Sequence, residues 1–267
     1  MEALIPNGHT RPRQLGRTAA TGPEAVSVSR AAPALMPYFA AMSRNLGPMR
    51  WWPARTPFEV IVGAILTQST SWGNVERAIA NLRSAHLLTP AAISAAPMPT
   101  LAALVRPSGY FRQKAKKLKA FVRFLQREFG GSLKRMFDTP TEILRQKLLG
   151  VHGIGPETAD SILLYAGKHA VFVVDAYTHR IFGRHGITSG KPQYESVRAL
   201  VEAALPRDWQ LFNEFHALVV TTGKIWCRKT NPRCAECPLG FLLPENSPLS
   251  LIRVNGSHGG SSGHKLT

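Results

Sequence analysis

Acidic residues are scarce in this chain: 16 Asp and Glu stand against 33 Lys and Arg, a formal excess of +17 and a pI near 10.5. Such an excess repels itself unless a polyanion is nearby, so nucleic acid is the leading partner class. Cysteine is scarce too. The three cysteines of the 267 residues all fall between Cys227 and Cys237, which excludes a fully paired disulfide framework and suggests metal. No uncharged apolar run approaches the ~18 residues of a membrane span. The first twenty-odd residues lack the unbroken apolar core of a secretory signal. With a mean hydropathy of −0.08, the expectation is a soluble, intracellular protein of the cytoplasm or nucleoid, without a membrane partner.

Alternating apolar and polar positions, the mark of half-buried strands, are almost missing; helical spacing dominates instead. Hydrophobic residues make up 44% of the chain, enough for a real core. Residues 1–30 read as a disordered basic tail and 255–267, a Gly/Ser-rich end, as a flexible one. Between them, Thr56-Pro57-Phe58-Glu59 reads as a capping box with proline in the first helical position, and Thr139-Pro140-Thr141-Glu142 as a second. The second opens a helix with Leu144 and Leu148 on one face, stopping at Gly150. A further helix is expected after Asp208, with Trp209, Phe212, His216 and Val219 at helical spacing.

The segment GVHGIGPETADSILLYA places three glycines in a tight turn ahead of Pro156, with Ala159, Ile162, Leu163 and Ala166 as one apolar stripe. Helix, hairpin, helix is the natural parse. Gly153 and Gly155 let backbone come close to a partner, and the N–H groups at the next helix start suit a DNA phosphate. Alone, such a stretch is an ordinary Gly-rich helix connection.

Together with AILTQSTSWGNVERAI, GYFRQKAKKLKAF, FVVDAYTHRIF and the cysteine tail, however, the chain from about Tyr38 to Leu243 resembles the endonuclease III branch of helix-hairpin-helix DNA glycosylases. The resemblance implies an all-α, two-lobed fold with double-stranded DNA and a flipped, damaged base held between the lobes. The core then spans 31–254. Its middle helical-barrel lobe runs over about 58–170, its second lobe over 31–57 plus 171–226, and its cysteine loop over 227–243. A monomer is expected.

Asp175 matches the family's essential aspartate. Breaking an N-glycosidic bond makes an oxocarbenium-like sugar, and a carboxylate beside C1' stabilises that charge and positions the attacking water. Bifunctional relatives carry a lysine in the hairpin motif whose amine forms a Schiff base. Here that position is Glu157, which cannot form an imine. The departure points to a monofunctional glycosylase and, within the resemblance, to the 3-methyladenine DNA glycosylases of endonuclease III type. Trp51, Trp52 and Trp72 are the candidate base-stacking aromatics, since alkylated purines are cationic and an indole face attracts a desolvated cation by ~2 kcal/mol. Such a leaving base needs no dedicated acid. Gln68 aligns with the residue that fills the vacated stack, and Gly153, Ile154, Gly155, Lys114 and Lys117 are expected to hold DNA phosphates. Tyr110 and Phe111 either support the pocket or merely pack.

Cys227-x6-Cys234-x2-Cys237 reproduces most of the family's [4Fe-4S] signature, but the fourth cysteine position is Leu243. A cluster with an exogenous or histidine ligand, zinc, or an empty loop are the alternatives, with His258 and His264 as remote ligands. The activity expected is hydrolytic release of alkylated purines in base excision repair. The alternatives are an oxidised-pyrimidine glycosylase with lyase activity and a non-catalytic damaged-DNA binder.

Overall fold

The structure is a computed structural model and describes residues 34–49, 52 and 54–245. Trp51, His258, His264 and the two expected tails lie outside them. All regular structure among the described residues is helical.

Helix α2 (Pro57–Leu66) is a hub of the helical packing. Thr56 caps it by accepting from the Glu59 N–H, and Pro57 takes the first helical position. The reciprocal half of the expected box does not form, because the Glu59 side chain accepts instead from Arg83 at 2.6 Å. PFEVIVGAIL is apolar on every side except Glu59, and a helix of that kind must be covered all round. It is: Phe58, Ile61, Val62, Ile65 and Leu66 are buried, and α3 (Trp72–Ser84), α6 (Phe111–Phe129) and α9 (Pro156–Ser161) pack on it. Short helices α4 (Pro90–Ala95), α5 (Met98–Leu104) and α7 (Leu133–Phe137) pack against α6. Helices α1 (Met36–Leu46) and α10 (Ala176–Arg184) pack on α12 (Trp209–Ile225). Asp208 caps α12 through the N–H groups of Gln210 and Leu211.

Helix α8 (Thr141–Leu149) ends at Gly150 and buries Leu144 and Leu148, as its spacing predicts. Its start corrects the sequence reading. Thr139 does not cap it; the Thr139 hydroxyl donates back to the Arg135 carbonyl at 3.3 Å, and Pro140 holds the cap position with no side-chain bond. Thr139 N–H still bonds Met136 O, so this residue closes α7 rather than opening α8.

After α9 the chain widens into a π turn, Ile162–Ala166. Ala159, Ile162, Leu163 and Ala166 are all buried as expected. The wider turn shifts register, the Gly167 N–H reaching the Ile162 carbonyl at 3.1 Å, and such turns concentrate at functional sites. Here it presents Tyr165 to the cleft described below.

One buried ionic junction fixes the helices on either side of the glycine turn. Arg145 on α8 donates to both Asp160 oxygens, at 2.7 and 3.0 Å, and to Glu195 at 2.7 Å on α11 (Tyr194–Ala204). Tyr194 Oη adds a bond to Asp160 at 2.8 Å. Arg145 and Asp160 are 3% and 0% exposed, so removing Asp160 leaves the buried guanidinium with Glu195 alone, a partner whose side chain is half exposed. Asp160→Ala should cost about 3–5 kcal/mol, measurable as a lower urea midpoint with unchanged slope; a loss below 1 kcal/mol would show that water enters the junction.

Candidate active site and DNA interface

A cleft of about 410 Å³ opens beside Asp175, with Trp52, Trp72, Tyr165, Glu157, His216 and Lys224 among its walls. That volume is in the range that holds a small ligand. Trp52 stacks on Tyr165 with centroids 4.9 Å apart and planes 26° from parallel, and meets Trp72 edge-on at 5.2 Å. Two features seat Trp52. Its φ is +67°, a left-handed conformation rare for a bulky residue and found where structure over-determines it. Its indole lies against Gly63 of α2, where an added Cβ would come within 3.1 Å of Cζ2, so glycine permits the close approach.

Asp175 caps α10. Its Oδ1 accepts from the Thr178 N–H at 2.8 Å and the Thr178 hydroxyl at 3.0 Å. Its Oδ2 lies 3.8 Å from His216 Nε2, so the two carboxylate oxygens are divided between the cap and the cleft side. His216 is buried, and desolvation lowers its pKa against the opposing pull of Asp175. The imidazole is therefore neutral near pH 7, and its Nδ1 is hydrogen-bonded to Tyr165 Oη at 2.5 Å. Glu157, which the resemblance sets at the position of the lyase lysine, shares the cleft. Burial first, and then the charge of Asp175, push its carboxyl up to about 7. Its surface is nonetheless open to water at the mouth, which screens that effect.

Sequence reasoning placed Asp175, Trp52, Trp72 and Glu157, and these four meet in one cleft. It missed Tyr165, His216 and Lys224 as site residues. Tyr165 was hidden because the π turn changes the register that a 3.6-residue reading assumes. For His216 the only signal was a polar residue inside an apolar helix face. Tyr110 is 69% exposed and is not among the cleft walls.

The glycine hairpin forms a second, shallower surface with Gln68 and Lys117. Gly153 has φ +82°, which glycine alone adopts without strain. Ile154 anchors the turn: its side chain is 4% exposed and its N–H donates to Val151 O at 3.0 Å. Gln68 braces the hairpin, its Nε2 donating to Gly153 O at 3.0 Å and to Thr158 Oγ1 at 2.9 Å, while its Oε1 accepts from Lys117 Nζ. Filling a vacated base stack requires Gln68 to exchange those bonds. Lys114 is a correction. It is 2% exposed and donates to the carbonyls of Leu66 at 2.8 Å and Ser108 at 2.5 Å, because its position on α6 faces α2. It joins the end of α2 to the loop before α6, and it cannot reach a phosphate. A Gly153→Ala chain should bind duplex DNA about tenfold more weakly, since the new Cβ is strained by φ and meets the Lys117 side chain at 2.5 Å. Unchanged affinity in a fluorescence anisotropy titration at moderate salt would remove the hairpin from the interface.

Cys227, Cys234 and Cys237 wall one small cavity with Arg184, His185 and Leu243. Arg184 donates to Cys227 Sγ at 3.2 Å. Gly240 lets the loop close, since a Cβ there would meet the Cys234 carbonyl at 2.4 Å. Burial pushes the Cys237 thiol up to about 11, so this sulfur needs a cation to become a thiolate. Among the described residues no three His, Cys, Asp or Glu side chains converge as a single metal ion requires. A four-iron cube takes one donor at each corner instead, and three sulfurs around one cavity suit three corners. The fourth position, Leu243, cannot donate.

A hairpin between pinned helices, with a capped aspartate in an aromatic cleft, defines a helix-hairpin-helix base-excision fold. The family model of the HhH-GPD superfamily of base excision DNA repair proteins matches residues 62–207, and the chain belongs to that superfamily. A Methanocaldococcus jannaschii protein with the provisional name of DNA repair glycosylase is 46% identical over 194 residues, 72% of this chain and 88% of that one. Endonuclease III of Thermotoga maritima is 32% identical over 181 residues, 68% of this chain and 79% of its own length. Among solved structures, the H. pylori 3-methyladenine DNA glycosylase bound to 1,N6-ethenoadenine superposes with a TM-score of 0.60 at 29% identity, covering 71% of this chain and 94% of that one. A non-covalent endonuclease III–DNA complex shares the fold, with a TM-score of 0.69 at 21% identity over 81% of this chain and 96% of that one. No helix among the described residues is long and apolar enough to cross a membrane.

Proposed function

We propose that this DNA glycosylase is monofunctional and releases alkylated purines by hydrolysis, with Asp175 stabilising the sugar cation and positioning water. The observation that carries the reading is a carboxyl, Glu157, facing the same cleft as Asp175 where a Schiff-base enzyme needs an amine. The cage of Trp52, Trp72 and Tyr165 supports a flat cationic base, which such faces attract. The 3-methyladenine glycosylase of H. pylori, at 29% identity, supports the same substrate class. Gly153, Gly155 and Lys117 hold the DNA backbone, with Gln68 behind them. Trp51 belongs to the same proposal. The lobes are assigned to about 58–170 and to 31–57 plus 171–226, and Cys227, Cys234 and Cys237 to an iron–sulfur cluster. The protein acts as a monomer on DNA inside the cell.

Lys224 supports a second reading, because it brings an amine to the cleft that Glu157 lacks. A panel of duplexes carrying 3-methyladenine, 7-methylguanine, ethenoadenine or an oxidised pyrimidine, each with and without borohydride, separates the two. Release of alkylated purines without a covalent adduct is the expected result. An adduct that disappears in Lys224→Ala would establish the lyase reading, and release of oxidised pyrimidines alone would overturn the substrate class.

A further inference from the structure

We propose that His185 supplies the fourth ligand, a ring nitrogen, of the iron–sulfur cluster assigned to Cys227, Cys234 and Cys237. The inference rests on that cluster assignment and not on which base is released. His185 ends α10 and is 9% exposed, and its ring lines the same cavity as the three sulfurs and Leu243. Its Nδ1 lies 3.3 Å from the carbonyl oxygen of Leu242, the residue beside the vacant cysteine position. A carbonyl only accepts, so Nδ1 carries the proton and Nε2 keeps the lone pair of a neutral imidazole. Metal-bound histidines are oriented in this manner, one nitrogen tied to a carbonyl and the other given to the metal. Tyr38 holds the ring from the other side, edge-on with centroids 5.4 Å apart, and its hydroxyl donates to the same Leu242 carbonyl at 3.5 Å. Arg184 donates to the Cys227 sulfur at 3.2 Å, a contact of the kind that tunes a cluster's potential. The loss of a cysteine at Leu243 is thus matched by a histidine contributed from α10 instead of from the loop.

The test uses the full chain reconstituted anaerobically with ferrous iron and sulfide, beside His185→Ala, Cys234→Ala and the double variant His185→Ala/Leu243→Cys, with folding followed by circular dichroism. The wild type should take up about four irons and four sulfides per chain. On brief exposure to ferricyanide, which accepts one electron as a corner iron without a protein ligand leaves as Fe2+, His185→Ala should lose about one iron in four and keep its four sulfides, and adding Leu243→Cys should prevent that loss. Independently of how the variants fold, wild-type protein labelled with 15N-histidine should show 15N hyperfine coupling to the reduced cluster. Wild-type iron content in folded His185→Ala after that oxidation, or absence of that coupling on a loaded cluster, would overturn the histidine ligand. Failure of the wild type to take up iron and sulfide, or full uptake by Cys234→Ala, would instead overturn the cluster assignment.

Discussion

Asp175→Asn should lower the rate of base release from alkylated duplex DNA by about 10²- to 10⁴-fold, while leaving both the melting temperature and DNA affinity close to wild type. The reason lies in the division of labour between its two oxygens. Oδ1 holds the first turn of α10 through Thr178, and an asparagine carbonyl can do the same. Oδ2 lies toward His216 and the cleft, where the amide nitrogen of asparagine brings no negative charge to a developing sugar cation. Asp175→Ala should differ in one respect: it also loses the cap, about 1 kcal/mol of stability. Single-turnover release measured beside thermal melting separates the effects. Equal rates for wild type and Asp175→Asn would remove Asp175 from the chemistry. Undetectable release by the wild type, with DNA binding unchanged by the substitution, would establish the non-catalytic binding module.

The contrast between what could and could not be read in advance follows from the range of the interactions. Caps and helix stripes are set by residues three or four apart, so α2, α8 and α12 are visible in the sequence. The failed cap at Thr139 shows the limit. Two competing uses of one hydroxyl, donation back to Arg135 or capping of α8, satisfy the same local pattern, and the preceding helix decides between them. Lys114 shows another limit. A run of cations on a 19-residue helix spreads around its circumference, and only the packing of α6 on α2 determines which one is buried. The stacking of Trp52 on Tyr165, and His185 beside the cysteines, join residues far apart in the chain, where spacing holds no information.

Glu157→Lys should convert the enzyme to one that forms a borohydride-trappable adduct with its DNA substrate. Glu157 and Asp175 share one cleft, so a lysine at 157 would bring its amine near the carboxylate that stabilises the sugar. The amine attacks C1' as the base leaves, and loss of a proton from nitrogen with ring opening gives the imine that borohydride reduces to a stable amine. The same surroundings set the amine's charge. Burial, the larger cause of the rise at Glu157, disfavours a charged amine, Asp175 favours it, and water at the exposed position weakens both. Adduct yield should rise with pH as more of the amine loses its proton. The wild type should give no adduct, and Glu157→Lys one adduct per chain on a denaturing gel. That adduct should persist in Glu157→Lys/Lys224→Ala, which isolates the new amine from the one already in the cleft. If Glu157→Lys binds the substrate and releases base yet traps nothing, position 157 is too far from C1' to act on it, and the identity of this residue no longer argues against lyase activity in the wild type.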